Sequence, residues 1–377
     1  MLTKKTRSLV LHIGDPKTGT SSIQRTLQLG LVKGISSEIS GFMDQVNSAN
    51  AIGFARIFTP KGARGRAAHE VERWIKKENA GTLIVSSEFF SEADPELVKR
   101  HLDHEYPDLS GRIRVIGYVR PHVSRALSAF TERTKAGYTL YDFDKWLGHF
   151  LRAGSLYYAP RFMRWHAAFG ESFILRPYIR NHLRDRDVVT DFFSEALGVG
   201  NFSLSGNMNE NQKISLKALS GLRGFNRGMS EAGVVVKQRI QMSLMISKFI
   251  ETDPEAKMPK MGSENIARII RACRKDAQDL DREFFGEPLF LQELAKSRKD
   301  AVENALDLSM ELHFTPAEQG MLDIAVNSLT ALLPKSYKNW SAYYRQFNAS
   351  HNVGKLAQTT KGGEIQKRLQ DLAVLFS

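Results

Sequence analysis

Cysteine is almost absent from this chain: Cys273 is the only one in 377 residues. An intrachain disulfide is therefore impossible, and so is a metal site built on several thiolates. No run of eighteen apolar residues occurs, so no stretch reads as a membrane-spanning helix. The opening residues, 1–7, are too short for a signal peptide and run straight into an apolar segment, which points to a cytoplasmic chain. The Walker A pattern, G-x-x-x-x-G-K-[ST], is missing too, and with it the usual entry to Mg²⁺–ATP chemistry. Low charge of either sign is not among the absences. Lys and Arg exceed Asp and Glu by a net +12, which favours anionic ligands. No base-reading motif accompanies that charge, so nucleic acid is not an expected partner.

What is present begins at residues 9–22, Leu-Val-Leu-His-Ile-Gly-Asp-Pro-Lys-Thr-Gly-Thr-Ser-Ser. An apolar, strand-like run enters a short turn, and Ile23, Leu27 and Leu31 then recur at helical spacing. The first N–H groups of a helix have no intrahelical acceptor, and the helix dipole attracts negative charge there. Lys17 adds a full charge; Thr18, Gly19, Thr20, Ser21 and Ser22 add backbone or hydroxyl donors. Lys17 precedes Gly19 instead of following it, so a phosphate bound without metal is expected. An ordinary capped helix start with a surface lysine would carry the same residues.

A second strand pattern, 112–119, ends in Arg120-Pro121-His122-Val123-Ser124 and runs into a helix. Pro121 suits a helix's first turn. Arg120 offers a two-pronged donor, and Ser128, one turn past Ser124 on the same face, offers a rotatable hydroxyl. The two can converge on one anion. Apart, they would read as a surface arginine and a solvated serine.

Strand candidates lie at 9–13, 82–87, 112–119 and 173–178. Helical patterns fill the gaps at 20–31, 66–78, 95–104, 121–135, 142–152, 156–169 and 187–197. Alternation of this kind implies an α/β fold, a parallel sheet flanked by helices, whose ligands bind beyond the C-terminal strand ends. After about residue 200 the strand patterns cease. Helices are expected at 213–227, 231–250, 264–282, 298–311, 316–332 and 364–376, making a helical C-terminal region. The division expected is a nucleotide-binding core at 8–200 and a helical extension at 201–377, serving an acceptor or oligomerisation. Oligomeric state itself is not legible.

The Lys-Thr-Gly-Thr-Ser-Ser segment after a strand resembles the 5′-phosphosulfate loop of sulfotransferases that use 3′-phosphoadenosine-5′-phosphosulfate (PAPS). Arg120 and Ser128, eight positions apart, resemble that family's 3′-phosphate motif, although Pro121 follows Arg120 directly where the family has an intervening residue. Residues 154–170 resemble a segment of the Golgi-type carbohydrate enzymes, and 208–220 and 281–286 resemble later segments of the bacterial, sulfotransferase-like branch. The likeness spans about residues 8–295. It implies a P-loop-NTPase-like fold and a cytoplasmic, bacterial enzyme. It implies PAPS as co-substrate, no metal, and transfer of a sulfuryl group to a hydroxyl or amine acceptor, with carbohydrate favoured. It also implies Lys17 on the bridging oxygen and a His or Glu as base. Glu88, at the end of the 82–87 strand, is the candidate, though an exposed or helix-capping acid would read alike. A P-loop nucleotide kinase or NTPase, and a catalytically silent nucleotide-binding scaffold, remain as alternatives. Among other residues, His12 reads as a core histidine with its hydrogen bonds met, His122 as a solvated turn residue and Cys273 as an inert or mildly reactive surface or helix thiol. His101 and His104 lack a third ligand nearby and do not read as a metal site.

Overall fold

The computed structural model describes residues 7–33, 38–44, 47–60, 62, 65–198, 202–205, 214–251, 253–302, 306–333, 340–345, 347 and 360–377. Of the family-like stretch 208–220, residues 208–213 lie outside them. Two compact units divide the chain. One comprises Met1–Arg125, Ser155–Glu210 and Ile270–Lys296, the other Ala126–Gly154, Asn211–Ile269 and Ser297–Ser377.

The first unit is built on a sheet. In chain order its strands are β1 (Ser8–His12), β2 (Val32–Lys33), β3 (Ile39–Gly41), β4 (Thr82–Ser86), β5 (Ile113–Val119), β6 (Phe173–Pro177) and β7 (Ser203–Leu204). Five of them form one sheet in the order β3-β4-β1-β5-β6, every pair parallel. The other two, β2 and β7, make a small antiparallel pair. β1, β4 and β5 are buried on both faces, which explains their continuous apolar runs. On one face Val10, Ile84, Ile116 and Tyr118 pack with Ile23, Val188, Phe192 and Phe193 from helices Thr20–Leu29 and Val188–Leu197. On the other, helix Ala159–Phe169 buries Phe162 and Trp165, the aromatic stripe expected to be core. The fold is α/β, a parallel sheet flanked by helices and followed by a helical C-terminal region.

β1 lies between β4 and β5, and the chain leaves it first towards β3 and β4, then returns to the other side for β5. That reversal opens a crevice at the C-terminal end of β1, the usual ligand position in an open parallel sheet. Residues 13–19 occupy it.

Among its described residues the second unit is built mainly of helices, with an isolated parallel bridge between Gly262 and Val302. Helix Leu216–Glu231 packs against Val236–Ile246, Met310–His313, Pro316–Leu332 and Thr360–Phe376. Its glycines make the close approach possible. A Cβ on Gly221 would lie 2.4 Å from the Phe376 ring, and one on Gly228 would lie 3.2 Å from Val326. Among the described residues, no helix is long and apolar enough to cross a membrane.

Several elements differ from the sequence reading, among them the short helix Ile52–Arg56, which was not expected. β3 and the β2–β7 pair are only two or three residues per strand, too short for periodicity to show. Among the described residues no helix fills 298–311; the chain forms Leu289–Lys299 and a single turn at Met310–His313. Helix Leu289–Lys299 starts where it does because Asp281, eight residues upstream, accepts from the Phe290 and Leu291 N–H groups at 2.8 and 3.0 Å. His122 is fully buried, not solvated, with Nε2 2.9 Å from the Asp276 carboxylate.

Asp191 ties helix Val188–Leu197 to the sheet. It accepts from Tyr118 Oη at 2.7 Å, from Arg176 Nη2 and Nε at 2.6 and 3.0 Å, and from the Arg184 N–H at 2.9 Å. Those bonds raise the Arg176 pKa above its ordinary value, and burial beside the carboxylate raises that of Tyr118. Asp191→Ala should cost about 3–5 kcal/mol in urea denaturation, because Arg176 loses a buried partner, whereas Tyr118→Phe should cost about 1 kcal/mol. Cys273 is also fully buried, and burial pushes its thiol pKa up to about 12. Maleimide at pH 8 should leave the native protein unlabelled and react once urea unfolds it; rapid native labelling would contradict this burial.

Candidate functional site

The loop between β1 and helix Thr20–Leu29 is bent by two residues in the left-handed region, Lys17 at φ 73° and Gly19 at φ 83°. Glycine takes that conformation without penalty, but lysine does not, so the Lys17 backbone must be held by its surroundings. Arg120 supplies one hold: its Nη1 donates to the Lys17 carbonyl at 3.1 Å. The Thr18 hydroxyl supplies another, donating across the turn to the Asp15 carbonyl at 2.6 Å. Gly19 caps the helix with no side-chain hydrogen bond, so the first-turn N–H groups face outward with no side-chain cap.

Two arginines converge behind the loop on a buried carboxylate. Asp15 Oδ2 accepts from Arg125 Nε at 2.9 Å and Oδ1 from Arg161 Nη2 at 2.6 Å. The Asp15 N–H in turn donates to Tyr118 O, at the end of β5, at 3.2 Å. One side chain thus fastens the loop to the Arg120 segment and to helix Ala159–Phe169. The pattern reading passed over Asp15, Arg125 and Arg161. An acid two residues before Lys17 in an anion-binding turn was the available signal, but the sequence does not show which arginines would reach it.

The sequence candidates fall as follows. Lys17, Thr18, Gly19, Thr20, Ser21 and Ser22 form the turn and first helical residues, with Thr18 and Thr20 buried and Ser21 exposed. The Ser22 N–H is already taken by Gly19 O at 3.0 Å. Arg120 sits just past β5, its Nε donating to Ser124 Oγ at 3.1 Å and its guanidinium 5.6 Å from the Tyr178 ring. Burial lowers the Arg120 pKa from its ordinary value, yet an arginine so placed stays charged at neutral pH. The guanidinium joins the two segments across 103 residues of sequence. Ser128 lies one turn beyond Ser124 on helix His122–Lys135, partly buried. Glu88 opens a short 3₁₀ turn directly after β4, the strand beside β1, and its carboxylate accepts from Asn50 Nδ2 at 3.2 Å.

His12 departs from its expectation. Register pairs it with Ser86 on β4, and Nδ1 lies 2.9 Å from Ser86 Oγ. Its Nε2, however, is buried without a partner, as is the Thr20 hydroxyl. Burial lowers the His12 pKa to about 3, so the ring is neutral.

Lys17, Arg120, Arg125 and Arg161 set four cations around the loop against the Asp15 carboxylate. Together with the helix N-terminus, that arrangement can hold a multiply charged oxyanion and stabilise negative charge that develops on it.

No family model matches this chain, and no curated protein matches it. Among solved structures it is similar to a sulfotransferase from Alicyclobacillus acidocaldarius, at a TM-score of 0.42 and 16% identity, over 78% of this chain and 99% of that one. A likeness of that size carries no argument about what this chain does.

Two glycines separate conformation from contact. Gly19 and Gly30 both have positive φ, but a Cβ on Gly19 would lie 2.6 Å from Val188 Cγ1, while one on Gly30 meets nothing within 4 Å. Gly30→Ala should therefore cost about 1–2 kcal/mol, the conformational penalty alone. Gly19→Ala should cost clearly more and weaken anion binding. Equal losses in urea denaturation would show that the Val188 contact is not a constraint.

Proposed function

We propose that this protein is a PAPS-dependent sulfotransferase that transfers a sulfuryl group to a hydroxyl or amine acceptor, with carbohydrate favoured. One contact carries the reading. Arg120 Nη1 on the Lys17 carbonyl joins the segments resembling the 5′-phosphosulfate loop and the 3′-phosphate motif, as a donor with phosphates at both positions requires.

In this reading the loop and Lys17 hold the 5′-phosphosulfate, while Arg120 and Ser128 hold the 3′-phosphate. The acceptor oxygen attacks sulfur, and the bond from sulfur to the bridging oxygen breaks. The electron pair of that bond stays on the departing phosphate, where Lys17 and the helix N-terminus stabilise it. Glu88, its carboxylate oriented by Asn50, takes the acceptor proton. The products are a sulfate ester, or a sulfamate, and adenosine 3′,5′-bisphosphate. No metal is needed, because protein cations and N–H groups meet the developing charge.

Lys17→Ala should lower turnover about a hundredfold to a thousandfold, the loss typical of a removed transition-state donor. Arg120→Ala should weaken adenosine 3′,5′-bisphosphate binding roughly tenfold or more in calorimetry. Glu88→Gln should abolish turnover and leave that binding intact; unchanged turnover would remove Glu88 as the base. At a hundredfold excess over Kd the bisphosphate should stabilise the fold by about 2.7 kcal/mol. Absence of any thermal shift with bisphosphate or PAPS would sink the reading. Binding of ATP only with Mg²⁺, indifferent to a 3′-phosphate, would favour a kinase or NTPase instead.

A further inference from the structure

The polar groups nearest the start of the loop are arranged around Gly14. A Cβ on that residue would lie 2.8 Å from Thr20 Oγ1, 2.9 Å from His12 Nε2 and 3.2 Å from Thr18 Oγ1. Gly14 does not have positive φ, so it is not backbone conformation that calls for glycine there. Its missing side chain leaves room for three polar atoms to approach one spot. The Thr18 hydroxyl is spent on Asp15 O. His12 Nε2 and Thr20 Oγ1 have no protein partner although both residues are more than nine-tenths buried. A buried polar atom with no hydrogen-bond partner costs free energy unless a group outside the chain bonds to it.

The neighbours of His12 decide what its Nε2 offers. Gln24 Nε2 donates to Ser86 Oγ at 3.1 Å, so the Ser86 hydroxyl can turn its own proton towards His12 Nδ1, 2.9 Å away. Nδ1 then accepts, and the single proton of the neutral ring sits on Nε2. Phe192 and Tyr118 pack on the imidazole, with ring centroids 4.9 and 6.0 Å away, and hold it in place. The result is an uncharged donor at the end of β1, beside the N-terminus of helix Thr20–Leu29.

We propose that His12 is an oxyanion-binding residue: its Nε2–H, with the Thr20 hydroxyl, hydrogen-bonds an oxygen of the phosphate group carried by the loop. The ligand class is a phosphate ester or anhydride. The inference deepens the phosphate-loop reading and rests on the loop holding an oxyanion, not on the 3′-phosphate or on sulfuryl transfer. A neutral donor adds a directed hydrogen bond without adding to the positive charge already around the loop.

Calorimetry on the full-length protein with two probes, adenosine 3′,5′-bisphosphate and inorganic pyrophosphate, tests this. His12→Phe keeps an aromatic ring against Phe192 but removes the donor. It should weaken both probes roughly tenfold to a hundredfold, as for a lost hydrogen bond to a charged group. His12→Gln, whose amide can place an N–H near the same point, should recover most of that loss. Nitrogen NMR of the wild-type protein should show a neutral ring protonated at Nε2, with a resonance that shifts when either probe is added. This measurement stands even if His12→Phe does not fold. Unchanged affinity in a folded His12→Phe variant, or a His12 resonance indifferent to both probes, would overturn the proposal. If pyrophosphate binds in a His12-dependent way and the bisphosphate does not bind, the sulfotransferase reading fails while the role of His12 stands. Failure of both probes to bind the wild type would overturn both.

Discussion

The Asp15 carboxylate, buried between Arg125 and Arg161, is the interaction on which the rest of the site depends. Each carboxylate oxygen takes one guanidinium, at 2.9 and 2.6 Å. Little water is available to replace either partner, so the geometry of the ion pair is imposed on the chain that carries it. That chain is the loop after β1. With Asp15 anchored, the turn through Lys17 and Gly19 must rise into left-handed conformations to reach the first helix, and Arg120 closes on the carbonyl this exposes.

Sheet topology explains why this anchoring occurs at this end of the molecule's first unit. β1 is flanked by β4 and β5, so three parallel strands deliver His12, Ser86 and the Arg120 segment to the same crevice. Parallel register does the fine placement: pairing His12 with Ser86 puts an imidazole and a hydroxyl side by side, and Glu88 follows two residues later. Charge then accumulates because each cation has a structural task as well. Arg125 and Arg161 hold Asp15, Arg120 holds Lys17, and their combined excess over one carboxylate makes the crevice attractive to a polyanion.

The elements most legible in the sequence were those whose signal is local. β1, β4, β5 and β6 lie within a residue or so of the expected bounds because buried parallel strands are continuous apolar runs. The first helix begins at Thr20, as the turn residues before it imply. Short pairings such as β2 with β7 left no trace, since two residues cannot display a period. In the 298–311 region the helix lies earlier than expected: its start at Leu289 is set by Asp281, whose carboxylate accepts from the Phe290 and Leu291 N–H groups, and it ends at Lys299. His122 was misjudged because its burial depends on Asp276, 154 residues away.

By itself, then, the amino-acid order determined the alternation of strands and helices, the helical character after residue 200 and the turn that could cradle an anion. Each is a consequence of side-chain spacing against a period of two or 3.6 residues, or of backbone groups left open at a helix start. Tertiary structure alone decided which cations face the turn, that Asp15 organises them, and that His12 ends with an unpartnered nitrogen beside Gly14. Those outcomes depend on strand order and register, which bring together residues separated by scores of positions, and no local pattern records such a meeting.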